Sequence, residues 1–300
     1  MPNRPLTVLV NREGGAAAKA GEGLRETLGA AFAAAGAAAD ISLLAAGEMA
    51  QAVKAAAAKA GRIAIAGGDG TIACAAQALR GKDTELALLP LGTLNHLARD
   101  LNIPTEIEAA AHLAAHGRAV AIDVGTVNGH RFVNNASIGL YSKMVRERDA
   151  VRSRRNWPKW LATLPAAWEA LARIPHHRFR VNMGTGDAPL VTPLLFVGNG
   201  VYSLEQGKVG CRTTLQGGKL GVYAISHRTR VALLWFAARA IVGRAERRED
   251  FLLMGECPGL DVHAHSDRIE IAMDGEVRRA ATPLRFSIER QALRVVSPDR

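Results

Sequence analysis

Arg62-Ile-Ala-Ile-Ala-Gly67-Gly-Asp-Gly-Thr-Ile72 decides the fold. Residues 62–66 form a short apolar run, read as a buried strand. Three glycines around Asp69 then break it, and an apolar, alanine-rich stretch runs on to Arg80, with Gly81 as a helix stop. The same punctuation recurs on both sides. Residues 7–11 read as a strand entering Asn11-Arg-Glu-Gly-Gly15, and a helix follows over 16–35. Residues 40–44 are a second strand, followed by a helix over 48–60. Residues 85–89 are a strand entering Pro90-Leu-Gly-Thr-Leu-Asn95, followed by a helix ending near Leu101, with Pro104 beyond. Strand and helix in strict alternation predict a parallel α/β sheet over residues 1–124.

In such a sheet the carboxyl ends of all strands share one edge, so the three glycine-containing turns gather there. Glycines let backbone N–H groups approach phosphate oxygens, and a helix N-terminus favours negative charge. Thr71 and Thr93 add hydroxyls. Asp69 cannot donate to a phosphate; its natural task is to hold Mg²⁺, a water or a substrate hydroxyl. Glycine turns also join strands to helices in proteins that bind nothing, so one such turn decides little and three together favour a site.

The remaining chain is different in character. Residues 124–133 read as a hairpin with Asn128-Gly129 at its turn. Residues 178–183, 194–197, 220–225, 268–273 and 283–288 read as strands, interrupted by helical stretches over 157–173 and 229–243. This predicts a mainly β domain of β-sandwich type over 125–288, with 289–300 returning to the first domain. Formal net charge is +10, from 38 Lys and Arg against 28 Asp and Glu. That favours an anionic partner: nucleotide, nucleic acid or an acidic membrane face. No nucleic-acid-binding module accompanies the charge, so nucleic acid is not expected. Cys74, Cys211 and Cys257 lie far apart with no ligand spacing, which fits reduced thiols in the cytoplasm. Neither a signal peptide nor a membrane-spanning run is evident.

Gly67-Gly-Asp-Gly-Thr71, followed by Leu89-Pro-Leu-Gly-Thr-Leu-Asn-His-Leu-Ala-Arg99 and Ile103-Pro104, closely resembles the catalytic domain of diacylglycerol-kinase-like lipid kinases. Ile122-Asp123 and Phe132-Val-Asn-Asn-Ala-Ser-Ile-Gly139 resemble that family's domain junction. Met273-Asp-Gly-Glu276 resembles its C-terminal motif, and 292–298 its usual ending. NAD kinases share only the first of these motifs. The resemblance implies an NAD-kinase- or diacylglycerol-kinase-like fold, with ATP and Mg²⁺ in a cleft and a diacylglycerol-like lipid as phosphoryl acceptor. It implies that Gly67, Gly68, Asp69, Gly70, Thr71, Gly92, Thr93, Asn95 and Asn11 hold the nucleotide. It gives Asp274 as proton acceptor with Glu276 nearby, and leaves Asp69 either linked to the nucleotide's Mg²⁺ or itself the base. Asp274-Gly275 is equally a hairpin-turn signal when taken alone. The other readings are an NAD-kinase-type nucleotide kinase and a catalytically silent lipid- or nucleotide-binding protein.

Several positions depart from the family pattern. His96 stands where an aspartate is usual, Arg12 where a proline is usual, and no threonine is present near Leu44. Gln216, Gly217 and Gly221 replace aspartates linked to a second, structural Mg²⁺, so that site is left open. A basic segment with Arg146, Arg148, Arg152, Arg154, Arg155 and Lys159 precedes a stripe of Trp157, Trp160, Leu161, Leu164, Trp168 and Leu171. Such a combination suits peripheral docking on the anionic inner membrane face, or alternatively a helix packed on its own domain. The lipid's identity is open. A homodimer is also open, since the family often pairs.

Overall fold

The computed structural model describes residues 5–14, 17, 23–139, 177–202, 212, 214–225 and 251–298. The expected helices over 157–173 and 229–243, the basic segment and its tryptophan stripe lie outside them. The chain divides into two compact units. The first is Met1–Val124, His130–Asn134 and Glu289–Arg300; the second is Gly125–Gly129 and Asn135–Ile288. Residues 130–134, read from sequence as part of the β domain, belong to the first unit.

The first unit is built on four parallel strands: β1 (Leu6–Asn11), β2 (Ala39–Leu44), β3 (Arg62–Gly67) and β4 (Glu85–Pro90), in the order β2-β1-β3-β4. The last stretch of strand Leu284–Ser297 joins in parallel beside β4, with Val295 opposite Leu86. Side chains alternate across this sheet. One face carries Val8, Val10, Ala64, Ala66, Ala87 and Leu89, packed with Leu24, Leu28 and Phe32 of helix Gly23–Ala34 and with Ala110, Ala111 and Ala114 of helix Ile107–His116. The alanines on the sheet let those helices sit close. Leu9, Ile63, Ile65, Leu86 and Leu88, also buried, alternate with them and face the other way. Helices Met49–Ala57 and Asp69–Ala78 connect the strands on that side. Covering on both faces explains why β3 and β4 read as continuous apolar runs.

The second unit is mainly β. The remaining strands are β5 (Arg118–Val127), β6 (His130–Phe132), β7 (Asn135–Gly139), β8 (His177–Asn182), β9 (Asp187–Thr192), β10 (Leu194–Asn199), β11 (Leu220–Ile225), β12 (Phe251–Cys257), β13 (Gly259–Ala264), β14 (Arg268–Met273), β15 (Glu276–Ala281) and β16 (Leu284–Ser297). β5 and β16 each run from one unit into the other. Six strands form an antiparallel sheet in the order β12-β11-β10-β7-β14-β15. A second antiparallel array joins the start of β16 to β13, β8 and β9. Each array has a buried row: Ile138, Leu195, Val197 and Ile271 in the first, and Phe179, Val181, Leu260, Val262 and Phe286 in the second. On the six-stranded sheet Ser137, Tyr223 and Ala272, which share the opposite face, are buried as well.

A charged cluster ties the starts of β3 and β4 to strand Leu284–Ser297. Glu85 accepts from Arg62 Nε at 2.8 Å and from Arg294 Nη2 at 2.7 Å. The Arg62 guanidinium also donates to the carbonyls of Ala114, Ala115 and Gly117, which end helix Ile107–His116. Burial raises the carboxyl's affinity for its proton, but the two guanidiniums outweigh it and hold Glu85 below its ordinary value. The stabilisation is therefore complete above the ordinary carboxylate range and is lost as pH falls through the depressed value. Glu85→Gln is expected to be less stable than wild type at pH 7. The gap should narrow as both are acidified below the ordinary carboxylate range, followed by urea unfolding at each pH. A gap independent of pH would show that the charge is not what Glu85 contributes.

Candidate functional site

β3 and β4 end side by side, with Gly67 opposite Pro90. The turns that follow are thereby brought against each other, and Leu91 N–H donates to the Gly67 carbonyl at 3.0 Å. Their backbones nearly touch. A Cβ on Gly92 would lie 2.6 Å from Gly68 Cα and 2.6 Å from Asn95 Oδ1; one on Gly67 would fall 2.6 Å from Thr71 Oγ1. These glycines are required by space alone.

Gly68 is the N-cap of helix Asp69–Ala78, and no side chain caps that end. Asp69 opens the first turn. Its Oδ1 accepts from the His96 backbone N–H at 2.8 Å and from Asn134 Nδ2 at 3.3 Å. The carboxylate therefore joins the turn after β3 to the helix after β4. The donor on residue 96 is its backbone, so the histidine in place of the family's aspartate leaves this bond intact. Thr71 is buried, and its Oγ1 accepts from Asn11 Nδ2 at 2.9 Å, which draws the end of β1 into the same group. Asn11 Oδ1 accepts from Glu13 N–H at 3.1 Å and shapes its own turn.

Asn95, expected from sequence to hold the nucleotide, is engaged within its own loop. It adopts φ +47 and is buried. Its Oδ1 accepts from Gly92 N–H at 3.0 Å, and its Nδ2 donates to Gly92 O at 2.8 Å and Pro90 O at 3.4 Å. Those polar atoms brace the loop from within. Asparagine suits both tasks, being tolerant of the left-handed region and able to bond its own backbone. Thr93 stays exposed, and Leu94 beside it is 55% exposed. The first unit thus gathers Asn11, Gly67, Gly68, Asp69, Gly70, Thr71, Gly92, Thr93 and Asn95, and adds Asn134, which sequence reasoning treated only as part of a junction.

Asp274 and Glu276 belong to the second unit. Asp274-Gly275 is a two-residue turn between β14 and β15 with φ +47 and +85, both positive as a type I′ hairpin requires. Asp274 and Asn135 bond each other twice. Asp274 N–H donates to Asn135 O at 3.0 Å, and Asn135 N–H donates to Asp274 Oδ1 at 3.1 Å. Glu276 is exposed and ion-paired with Arg278 at 2.9 Å. The hairpin and functional readings of Asp274 are compatible, since the turn presents a half-buried carboxylate.

Among the described residues no group of three or more His, Cys, Asp or Glu is placed to hold a metal ion. Gln216 and Gly217 are exposed and offer no carboxylate. What the first unit does offer beside the turns after β3 and β4 is the carboxylate of Asp69, whose described hydrogen bonds all fall on Oδ1. That donor set fits magnesium arriving with a nucleotide, where phosphates and water complete the shell, better than a metal caged by protein.

Residues 5–127 match the family model of the diacylglycerol kinase catalytic domain. Over that stretch the chain is similar to diacylglycerol kinase catalytic domains. Asp69, Gly92 and the two turns all fall within it. Its relatives include the protein named "Probable lipid kinase YegS-like" in Yersinia pestis (strain Pestoides F) and in Yersinia pseudotuberculosis serotype O:1b. Each is 48% identical over 86 residues, a stretch that is 27% of this chain and 29% of the relative's length. The fold is similar to a diacylglycerol kinase from Bacillus anthracis str. Sterne, with TM-score 0.68 and 18% identity over 99% of this chain and 98% of that one. It is more distantly similar to yeast NADH kinase complexed with NADH, with TM-score 0.52 and 10% identity over 99% and 85%. Among the described residues no helix is long and apolar enough to cross a membrane.

Gly92→Ala tests the apposed turns. Its methyl group would press on the Gly68 backbone, which cannot rotate away. The variant is expected to keep its fold by circular dichroism and to bind ATP with Mg²⁺ at least about tenfold more weakly by calorimetry. Unchanged affinity would remove these turns from nucleotide binding.

Proposed function

We propose that the protein is a lipid kinase that transfers the γ-phosphoryl group of ATP to the hydroxyl of a diacylglycerol-like lipid. The observation that carries this reading is the pair of apposed glycine turns on the carboxyl edge of the parallel sheet, within a diacylglycerol kinase catalytic domain. The amino end of helix Asp69–Ala78, which no side chain caps, suits phosphate oxygens. Thr93, exposed in the second turn, adds a hydroxyl. Magnesium bound with ATP would be held by Asp69 and would neutralise phosphate charge.

Asp274 is the proton acceptor in this proposal. It takes the proton of the lipid hydroxyl as that oxygen bonds to the γ-phosphorus and the bond to the bridging β–γ oxygen breaks, releasing ADP. Its two bonds with Asn135 fix where the carboxylate stands. Glu276, exposed and paired with Arg278, has the weaker case for a direct part in the chemistry. ATP, Mg²⁺ and a lipid are thus the partners, met at the inner membrane face by a peripheral, cytoplasmic protein.

Incubation with γ-labelled ATP, Mg²⁺ and mixed bacterial lipids is expected to give a labelled product extracted into organic solvent. Label confined to NAD would establish the nucleotide-kinase alternative, and binding of ATP without turnover on any alcohol would establish a silent binder. Asp274→Asn keeps the turn geometry. It is expected to lower kcat by about 100-fold or more while ATP affinity stays within about twofold. Turnover equal to wild type would take Asp274 out of the mechanism.

A further inference from the structure

The chain segment His130–Asn134 is a strap laid along helix Asp69–Ala78. Its neighbours on both sides, Gly125–Gly129 and Asn135 onward, belong to the second unit, yet these five residues fold with the first. The strap is fastened at both ends. At one end the Arg131 backbone N–H donates to Gln77 Oε1 at 2.7 Å, and Arg131 Nη1 donates to Ala76 O at 3.0 Å. The Arg131 side chain is only 3% exposed, and its charge is met by Glu289 at 2.6 Å. Glu289 also pairs with Arg80, just beyond the same helix. At the other end Asn134 Nδ2 reaches Asp69 Oδ1 at 3.3 Å. Between them Phe132 and Val133 have no exposed surface.

The spacing is consistent with an antiparallel run. From Asp69 to Ala76 is seven helical steps, a rise of about 10 Å. From Arg131 to Asn134 is three extended steps, also about 10 Å. An ion pair with almost no freedom to move, two fully buried side chains and an extended backbone leave Asn134 little choice of position. Its side-chain amide is therefore a fixed donor, not an adaptable one.

We propose that Asn134 is a positioning residue for Asp69. Together with the His96 N–H, its amide engages Oδ1 of the carboxylate and sets its rotation, which leaves Oδ2 for magnesium bound to the nucleotide. This rests on the kinase reading above and deepens it by assigning a residue outside the matched domain, which ends at residue 127. Outer-shell partners of metal-binding carboxylates act in this way, and their loss weakens metal affinity. Asn134→Asp removes the donor at constant size and adds a like charge; Asn134→Ala removes it without one.

The test is calorimetric titration of the full chain with a non-hydrolysable ATP analogue, with and without Mg²⁺. Wild type is expected to bind the analogue more tightly when Mg²⁺ is present. Asn134→Asp is expected to lose about tenfold or more of that magnesium-dependent gain. In Asn134→Ala, which adds no charge beside the phosphates, affinity without Mg²⁺ should stay within about twofold and stoichiometry at one per chain. Asn134→Ala should lose a smaller share, and it carries the test if the aspartate variant does not fold. A purely structural role would lower the melting temperature or the stoichiometry and leave the magnesium gain of the folded protein untouched. Full retention of that gain in a folded variant would overturn the proposal and leave the kinase reading standing. Wild-type protein that binds the analogue with no magnesium gain would overturn it too. No binding of the analogue by wild type would instead overturn the kinase reading, and this inference with it.

Discussion

Gly68 and Gly92 sit back to back with room for no side chain on Gly92, and the arrangement of the first unit follows from that contact. It requires β3 and β4 to be parallel neighbours in register, since only then do the turns leave the sheet at one height. It requires Asn95 in a left-handed conformation to fold the second turn back on itself. It also places the His96 N–H where Asp69 can accept it. One steric constraint thus sets the geometry of a carboxylate, a helix start and a loop together.

Much of this was legible in the sequence because local chemistry and global fold agree. β3 and β4 are covered on both faces, so their residues are apolar without a break. The glycines that end them mark the turns. The second hairpin signal, Asp274-Gly275, was legible for the same reason, since few residue pairs tolerate two consecutive positive φ angles. Helix Ile107–His116 was passed over because its buried residues are alanines, Ala110, Ala111 and Ala114, which give little contrast with a polar face.

What sequence could not show is where side-chain amides go. Asn11 bonds a threonine 60 positions away, and Asn134 an aspartate 65 positions away. Among the described residues, the Asn95 side chain bonds only its own loop. All three are asparagines in or near recognisable motifs, and nothing in their local sequence distinguishes a ligand-facing amide from a bracing one. The excursion of residues 130–134 into the first unit was hidden for a related reason. A short apolar strand after a hairpin turn carries no mark of which core it will enter. Arg131 was the available hint, because a lone cation among apolar residues needs a carboxylate, but Glu289 lies 158 positions on.

The left-handed conformation of Asp274 bears on how this lineage can change. Aspartate, asparagine and glycine are the residues that hold such a backbone at small cost, while alanine and larger side chains resist it. Under the proposed mechanism, a descendant without the chemistry could therefore carry Asn in place of Asp274 and keep both the turn and an oxygen for the Asn135 N–H, whereas Gly would keep the turn and lose that bond. Under the same mechanism, offshoots carrying that asparagine would be well folded and hard to tell from active ones by stability or shape, with the loss of chemistry written in a single codon.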